Sequence, residues 1–99
     1  MQYLVRLSAH LPESLQGEDR KALFAAERER GLALQSEGKI ARMWRVLGQR
    51  DGISLWDVQS PEELHAGLSS LPAWPYCEVE VIPVVQHPLE TEFQKGAGS

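Results

Sequence analysis

The hydrophobic pattern along this chain runs β-α-β-β-α-β and predicts an α+β sandwich: four antiparallel strands with both helices on one face. Three observations carry the prediction. Alternating apolar stretches near each end of the chain read as strands. A long proline-free stretch rich in Ala, Leu, Glu and Arg follows the first of them. Two more alternating stretches in the middle are joined by a short polar turn.

In order, Met1 to Ala9 sets Tyr3, Val5 and Leu7 on one face and Leu4, Arg6 and Ser8 on the other, which is a strand. Residues 12–17 hold Pro, Ser and Gly and read as a loop. Residues 18–38 favour a helix, with Glu18 and Asp19 at its positive end and Gly38 as a C-terminal cap. Arg42-Met43-Trp44-Arg45-Val46-Leu47-Gly48 and Ile53-Ser54-Leu55-Trp56-Asp57-Val58 form a hairpin joined by Gln49-Arg50-Asp51-Gly52, with Asp-Gly expected in its turn. Ser60-Pro61-Glu62-Glu63 opens a short helix that carries Leu64 and Leu68 and ends near Ser70. Leu71-Pro72-Ala73-Trp74-Pro75 is a rigid loop. Cys77 to Gln86 is the last strand, and Pro83 suggests that it lies at an edge or bulge. Right-handed crossovers applied to this order give the ferredoxin-like βαββαβ topology over a domain of residues 1–88. Residues 89–99 form a C-terminal tail, expected to be flexible or exchanged with a neighbouring subunit. The other sheet face is bare and carries arginines and tryptophan, so it needs a partner or a ligand. A second copy pairing sheet to sheet, as in a dimeric α+β barrel, would supply both.

Ninety-nine residues allow one domain with a modest core. A net charge of −4 argues against nucleic acid. No run reaches the roughly 20 apolar residues that span a bilayer, and no signal pattern opens the chain, so the cytoplasm is the expected location. The single cysteine, Cys77, excludes an internal disulfide and a cysteine metal cluster.

Glu27 is the sharpest candidate for chemistry. With Leu23 at zero and about 100° per residue, Leu34 falls at about 20°, Glu27 at about 40° and Arg30 at about 340°. A carboxylate on an apolar stripe loses hydration and becomes a usable base near neutral pH. The alternative is a structural pair, with Arg30 at i+3 as the nearest partner. Arg42 and Arg45 lie on opposite faces of their strand, so only one can line a given cavity with a two-pronged grip on a carboxylate. His10, His65 and His87 are scattered without metal-ligand spacing, so no metal site is expected. Ser54, Ser60 and Cys77 lack an evident base and orienter. Trp44, Trp56 and Trp74 favour a buried interface or an apolar pocket.

Several of these residues also carry a resemblance. Leu11-Pro12, Glu27, Leu34-Gln35, Gly38, Trp44-Arg45, Gly48, Ser54 and Asp57-Val58 register without a gap, as do Leu64-His65, Leu71-Pro72, Pro75-Tyr76, Glu80-Val81 and His87-Pro88. Over residues 1–88 the chain resembles the muconolactone delta-isomerases of aromatic (β-ketoadipate) catabolism. The resemblance implies a cofactor-free isomerase and a subunit that dimerises through its sheets and assembles into larger rings, typically decamers. Its substrate would be a small lactone, muconolactone, which becomes 3-oxoadipate enol-lactone by losing a proton at C4 and gaining one at C2. It further implies Glu27 as proton carrier, and Arg45, with Trp44, Tyr76 and His87, at the substrate. Arg42, Gln86, Gly52 and the apolar Leu23-Phe24-Ala25-Ala26 depart from the family pattern. They leave room for a chlorinated or methylated muconolactone, or another small lactone, as substrate. Competing readings are a chloromuconolactone dehalogenase, a non-catalytic dimeric α+β barrel that binds a small acid or stabilises an assembly, and a cofactor-free oxygenase of the same fold.

Overall fold

The computed structural model describes residues 1–97. Its elements are β1 (Gln2–Ala9), α1 (Gly17–Ser36), β2 (Ile40–Arg45), β3 (Gly52–Asp57), α2 (Pro61–Ser69), a 3-10 turn (Trp74–Tyr76), β4 (Cys77–Val84) and α3 (Pro88–Ala97). The four strands form one antiparallel sheet in the order β2-β3-β1-β4. The expected sandwich is therefore present, with a third helix after it. Pro83 lies in β4, an edge strand, where a missing backbone N–H is least costly.

The core sits between the sheet and the first two helices. Tyr3, Val5 and Trp56 from the central strands meet Leu34 of α1 and Leu64 and Leu68 of α2. Ser60 caps α2 by accepting from the Glu63 amide at 3.1 Å, while the Glu63 carboxylate accepts from the Gln59 amide at 2.9 Å. Behind α1, Gly38 takes φ 80°, and Gly38 and Lys39 donate to the Gln35 and Leu34 carbonyls, each at 3.0 Å. Gly67 has a packing reason: a Cβ there would lie 2.6 Å from Cζ3 of the fully buried Trp56.

One expectation needs correction. Asp51-Gly52 does not make the hairpin turn. Gly52 is already paired with Arg45, and the turn is Val46–Gln49, closed by the Gln49 amide on the Val46 carbonyl at 3.0 Å. Gly48 supplies the positive φ (77°) that the third position of such a turn requires. Asp51 instead binds Arg6 across the sheet, with the carboxylate 3.0 Å from Nε and 2.9 Å from Nη2. The Ser8 hydroxyl and Arg6 hold the Asp51 carboxyl below its ordinary pKa.

The C-terminal tail carries regular structure. Pro88–Ala97 is a helix that starts on a proline, with the His87 ring accepting from the Leu89 amide at 3.0 Å. Its apolar pair Leu89 and Phe93 is spaced i, i+4 and stays 66% and 71% exposed, so it stabilises no core of its own chain. The radius of gyration, 15.9 Å, exceeds the roughly 13 Å of a compact domain this long, in keeping with α3 standing clear of the sandwich. The tail's last two residues, 98 and 99, lie outside the described residues.

Candidate active site

The helix α1 has two working faces. One carries Leu23, Arg30 and the fully buried Leu34 toward the core. The second, roughly 100° around the helix, carries Phe24, Arg28, Gly31 and Leu32 toward a cavity of about 640 Å³. Glu27 falls at the boundary between the two faces and lines the cavity. Across from α1, the walls are built from Leu7, Ser54 and Trp56 of the central strands and from Leu71, Ala73 and Cys77 of the later loop and strand. Arg45 and Arg50 border it from the hairpin.

Glu27 is half-buried, and its Oε2 accepts from the Ala73 backbone N–H at 2.8 Å. Loss of hydration raises its pKa above the ordinary 4.5, with the Ala73 hydrogen bond pulling the other way. The structural pairing with Arg30 does not form. Arg30 Nε donates to Ser70 Oγ at 2.9 Å and Nη1 lies 3.8 Å from Glu37. Among the described residues Glu27 takes part in no ion pair. The Cys77 thiol donates to the Ala73 carbonyl at 3.2 Å; burial, and then the Glu27 charge, push its pKa above 9.0, which keeps it a thiol.

A bulge decides which arginine reaches the cavity. Ile40 pairs with Trp56 and Arg42 with Leu55, so Ala41 is the extra residue on β2. Strict alternation from the buried Ile40 would set Arg42 and Trp44 on the inner face. The bulge reverses the order, so that Met43, opposite the inward Ser54, and Arg45, opposite Gly52, face the helices. Arg45 Nη1 donates to the Arg50 carbonyl at 2.9 Å, which steadies the guanidinium at the rim. Trp44 borders the cavity along its strand, but alternation sends its indole to the outer face, where the Arg42 guanidinium carbon lies 5.9 Å from the ring centre.

Of the residues expected at the site, Glu27 and Arg45 are brought together. Tyr76 and His87 are not. Tyr76 sits in the 3-10 turn with its amide on the Ala73 carbonyl at 2.9 Å, and His87 caps α3; neither lines the cavity. Sequence reasoning missed Phe24, Arg28, Leu32, Arg50 and the Ala73 amide. A second helical stripe at 24, 28, 31 and 32 was available as a signal, whereas a backbone amide leaves no trace in residue type. No group of three metal-ligating side chains occurs among the described residues, nor is any helix there long and apolar enough to cross a membrane.

Comparison with known proteins decides the family. The family model described as muconolactone delta-isomerase matches residues 1–90. The chain belongs to the muconolactone delta-isomerase family. The muconolactone delta-isomerase of Acinetobacter baylyi is 39% identical over 88 residues, covering 89% of this chain and 92% of its own. That of Cupriavidus pinatubonensis is also 39% identical, covering 89% of this chain and 96% of its own. A crystal structure of muconolactone isomerase superposes with a TM-score of 0.83 at 35% identity, covering 89% of this chain and 92% of that one. A 5-chloro-2-hydroxyhydroquinone dehydrochlorinase from Burkholderia phenoliruptrix, 18% identical with a TM-score of 0.66, shares the fold; it covers 88% of this chain and 96% of its own. This muconolactone delta-isomerase family member is accordingly an isomerase, and a small lactone fits a cavity with apolar walls, one unpaired carboxylate and arginines at its rim.

Proposed function

We propose that this isomerase converts muconolactone to 3-oxoadipate enol-lactone, with Glu27 carrying a proton from C4 to C2 and Arg45 holding the pendant carboxylate. The observation that carries the reading is a half-buried, unpaired carboxylate with a raised pKa on the same cavity as an arginine. The ionised Glu27 takes the C4 proton, and the electron pair moves through the ring onto the lactone carbonyl oxygen as a dienolate. Glu27 then returns the proton to C2, which leaves the double bond between C3 and C4. C4 and C2 flank a single ring carbon, so one carboxylate on one ring face serves both. The Ala73 amide fixes Oε2 and leaves Oε1 as the oxygen that accepts the proton. No other group needs to titrate. Tyr76 and His87 lie off the single-chain cavity, and Trp44 borders it with its indole on the outer face, so none of the three is given a part in this step.

Ultraviolet-monitored conversion of muconolactone tests the reading. The wild type is expected to turn over, and Glu27→Gln to lose about 10²- to 10⁴-fold in kcat. A Gln variant at full activity would take Glu27 out of the mechanism, and an inert wild type would take this lactone out.

The assembly proposal rests on the outer sheet face, where Leu55, Leu4 and Ile82 stand side by side across three strands with no helix over them. Pairing of two such faces gives the dimeric barrel, and rings of dimers up to a decamer follow the family resemblance. Leu4→Glu should lower the mass seen in sedimentation; an unchanged mass would remove sheet pairing. With one cysteine and no disulfide, the cytoplasm is the proposed location.

A further inference from the structure

The proton shift leaves one demand unmet by Glu27 and Arg45. As C4 loses its proton, negative charge builds on the lactone carbonyl oxygen, and a donor must meet it there. The cavity wall carries a side chain suited to that role. Ser54 is a buried polar residue, 7% exposed, on the inner face of the central strand β3 and on the wall that Glu27 faces. Its oxygen accepts from Trp56 Nε1 at 2.8 Å. Indole nitrogen is a donor only, so this contact uses a serine lone pair and leaves the hydroxyl proton uncommitted. Among the described residues that proton has no acceptor, and the Ser54 side chain makes no other hydrogen bond. A buried hydroxyl with its donor unspent normally has a use, since a lost bond in a dry site is costly.

We propose that Ser54 is a catalytic residue that donates its hydroxyl hydrogen bond to the lactone carbonyl oxygen as the dienolate forms. The proposal rests on the isomerase reading above. Trp56 completes the device as a positioning residue. Its fully buried indole, wedged against Gly67, fixes the serine rotamer, and its N–H polarises the hydroxyl it binds. The electrons balance without any transfer from serine. The C4–H pair becomes the C3–C4 π bond, the old C2–C3 π pair moves to C1–C2, and the carbonyl π pair moves to oxygen. On return, the oxygen pair reforms the carbonyl and the C1–C2 pair takes the proton from Glu27. Ser54 keeps its own proton throughout and only shares it with the oxygen.

The test compares Ser54→Ala, Trp56→Phe and the double variant. Ser54→Ala alone strands the buried indole N–H, so a loss of activity there could follow from a shifted Trp56. The double variant removes both hydrogen-bonding partners and relieves that penalty. The expected result is a kcat about 10²- to 10³-fold lower in both Ser54→Ala and the double variant, with KM and the acid limb of the pH profile unmoved. Recovery of kcat in the double variant would assign Ser54 a structural role and overturn the proposal, as would a Ser54→Ala enzyme with wild-type kcat. A binding measurement separates this outcome from failure of the isomerase reading. The tetronate anion, a five-membered lactone with charge on its carbonyl oxygen, should bind at least tenfold more weakly to the double variant, while neutral butenolide binds both proteins equally. Equal tetronate affinity would contradict the role of Ser54 whether or not muconolactone turns over.

Discussion

The two ends of this sandwich are built from the same elements and do opposite things. At one end, Leu34 of α1 and Trp56 of β3 are fully buried, and α2 comes so near that only a glycine fits at position 67. At the other end, two turns earlier on α1 and two to four residues earlier on β3, Glu27, Ser54 and Gly52 line an open cavity. The difference teaches how a chain this small holds a carboxylate out of water without collapsing around it. The packed end fixes the helix, and the Ala73 amide fixes the carboxylate that the helix carries.

Substitutions at the two ends should therefore separate stability from turnover. The largest effect on stability is expected for Leu34→Ala, about 2–5 kcal/mol by chemical denaturation, with kcat of the folded fraction unchanged. A variant that keeps its stability would show that α1 is held elsewhere. Arg45→Met should do the converse, raising KM roughly ten- to a hundredfold, the weight of a lost charged hydrogen bond, with little change in kcat or melting temperature. Gly67→Ala should cost about 1–3 kcal/mol, because the new methyl meets an indole with nowhere to move. Activity lost in excess of that unfolding would mean that Trp56 transmits strain to Ser54. The smallest effect concerns Glu27 itself. Its folded pKa lies above the unfolded 4.5, so its stabilising contribution is complete below 4.5 and is lost as pH rises through the folded value. The melting temperature of Glu27→Gln, relative to wild type, should therefore be higher at neutral pH than at pH 4. Half exposure keeps the difference small, and the opposite sign would show that the carboxylate is stabilised by an unseen cation.

Much of this was legible in the sequence because the signals are local. The alternation in β1 and β4, the Ser60-Pro61 start of α2 and Gly38 after α1 each follow from a few neighbouring residues. Glu27 was legible for the same reason, since a charge on an apolar stripe shows in periodicity alone. The hairpin turn was misplaced because Asp-Gly and Leu-Gly both lie within reach, and the choice depends on Arg6 claiming Asp51 from another strand. The bulge at Ala41 left no mark in residue type, yet it sets which of Arg42 and Arg45 faces the helices. Helix α3 was hidden because Leu89 and Phe93 point at nothing within this chain. The serine was visible throughout as a residue without a base beside it, whereas its burial and the Trp56 contact that occupies its lone pair depend on the fold.

If the open end works by one partly desolvated carboxylate, the pH dependence of kcat/KM on muconolactone must report its titration. A single acid limb with its midpoint above 4.5 is expected, abolished in the residual activity of Glu27→Gln. An acid limb that persists unchanged in the Gln variant, or a wild-type profile flat down to pH 4, would contradict it.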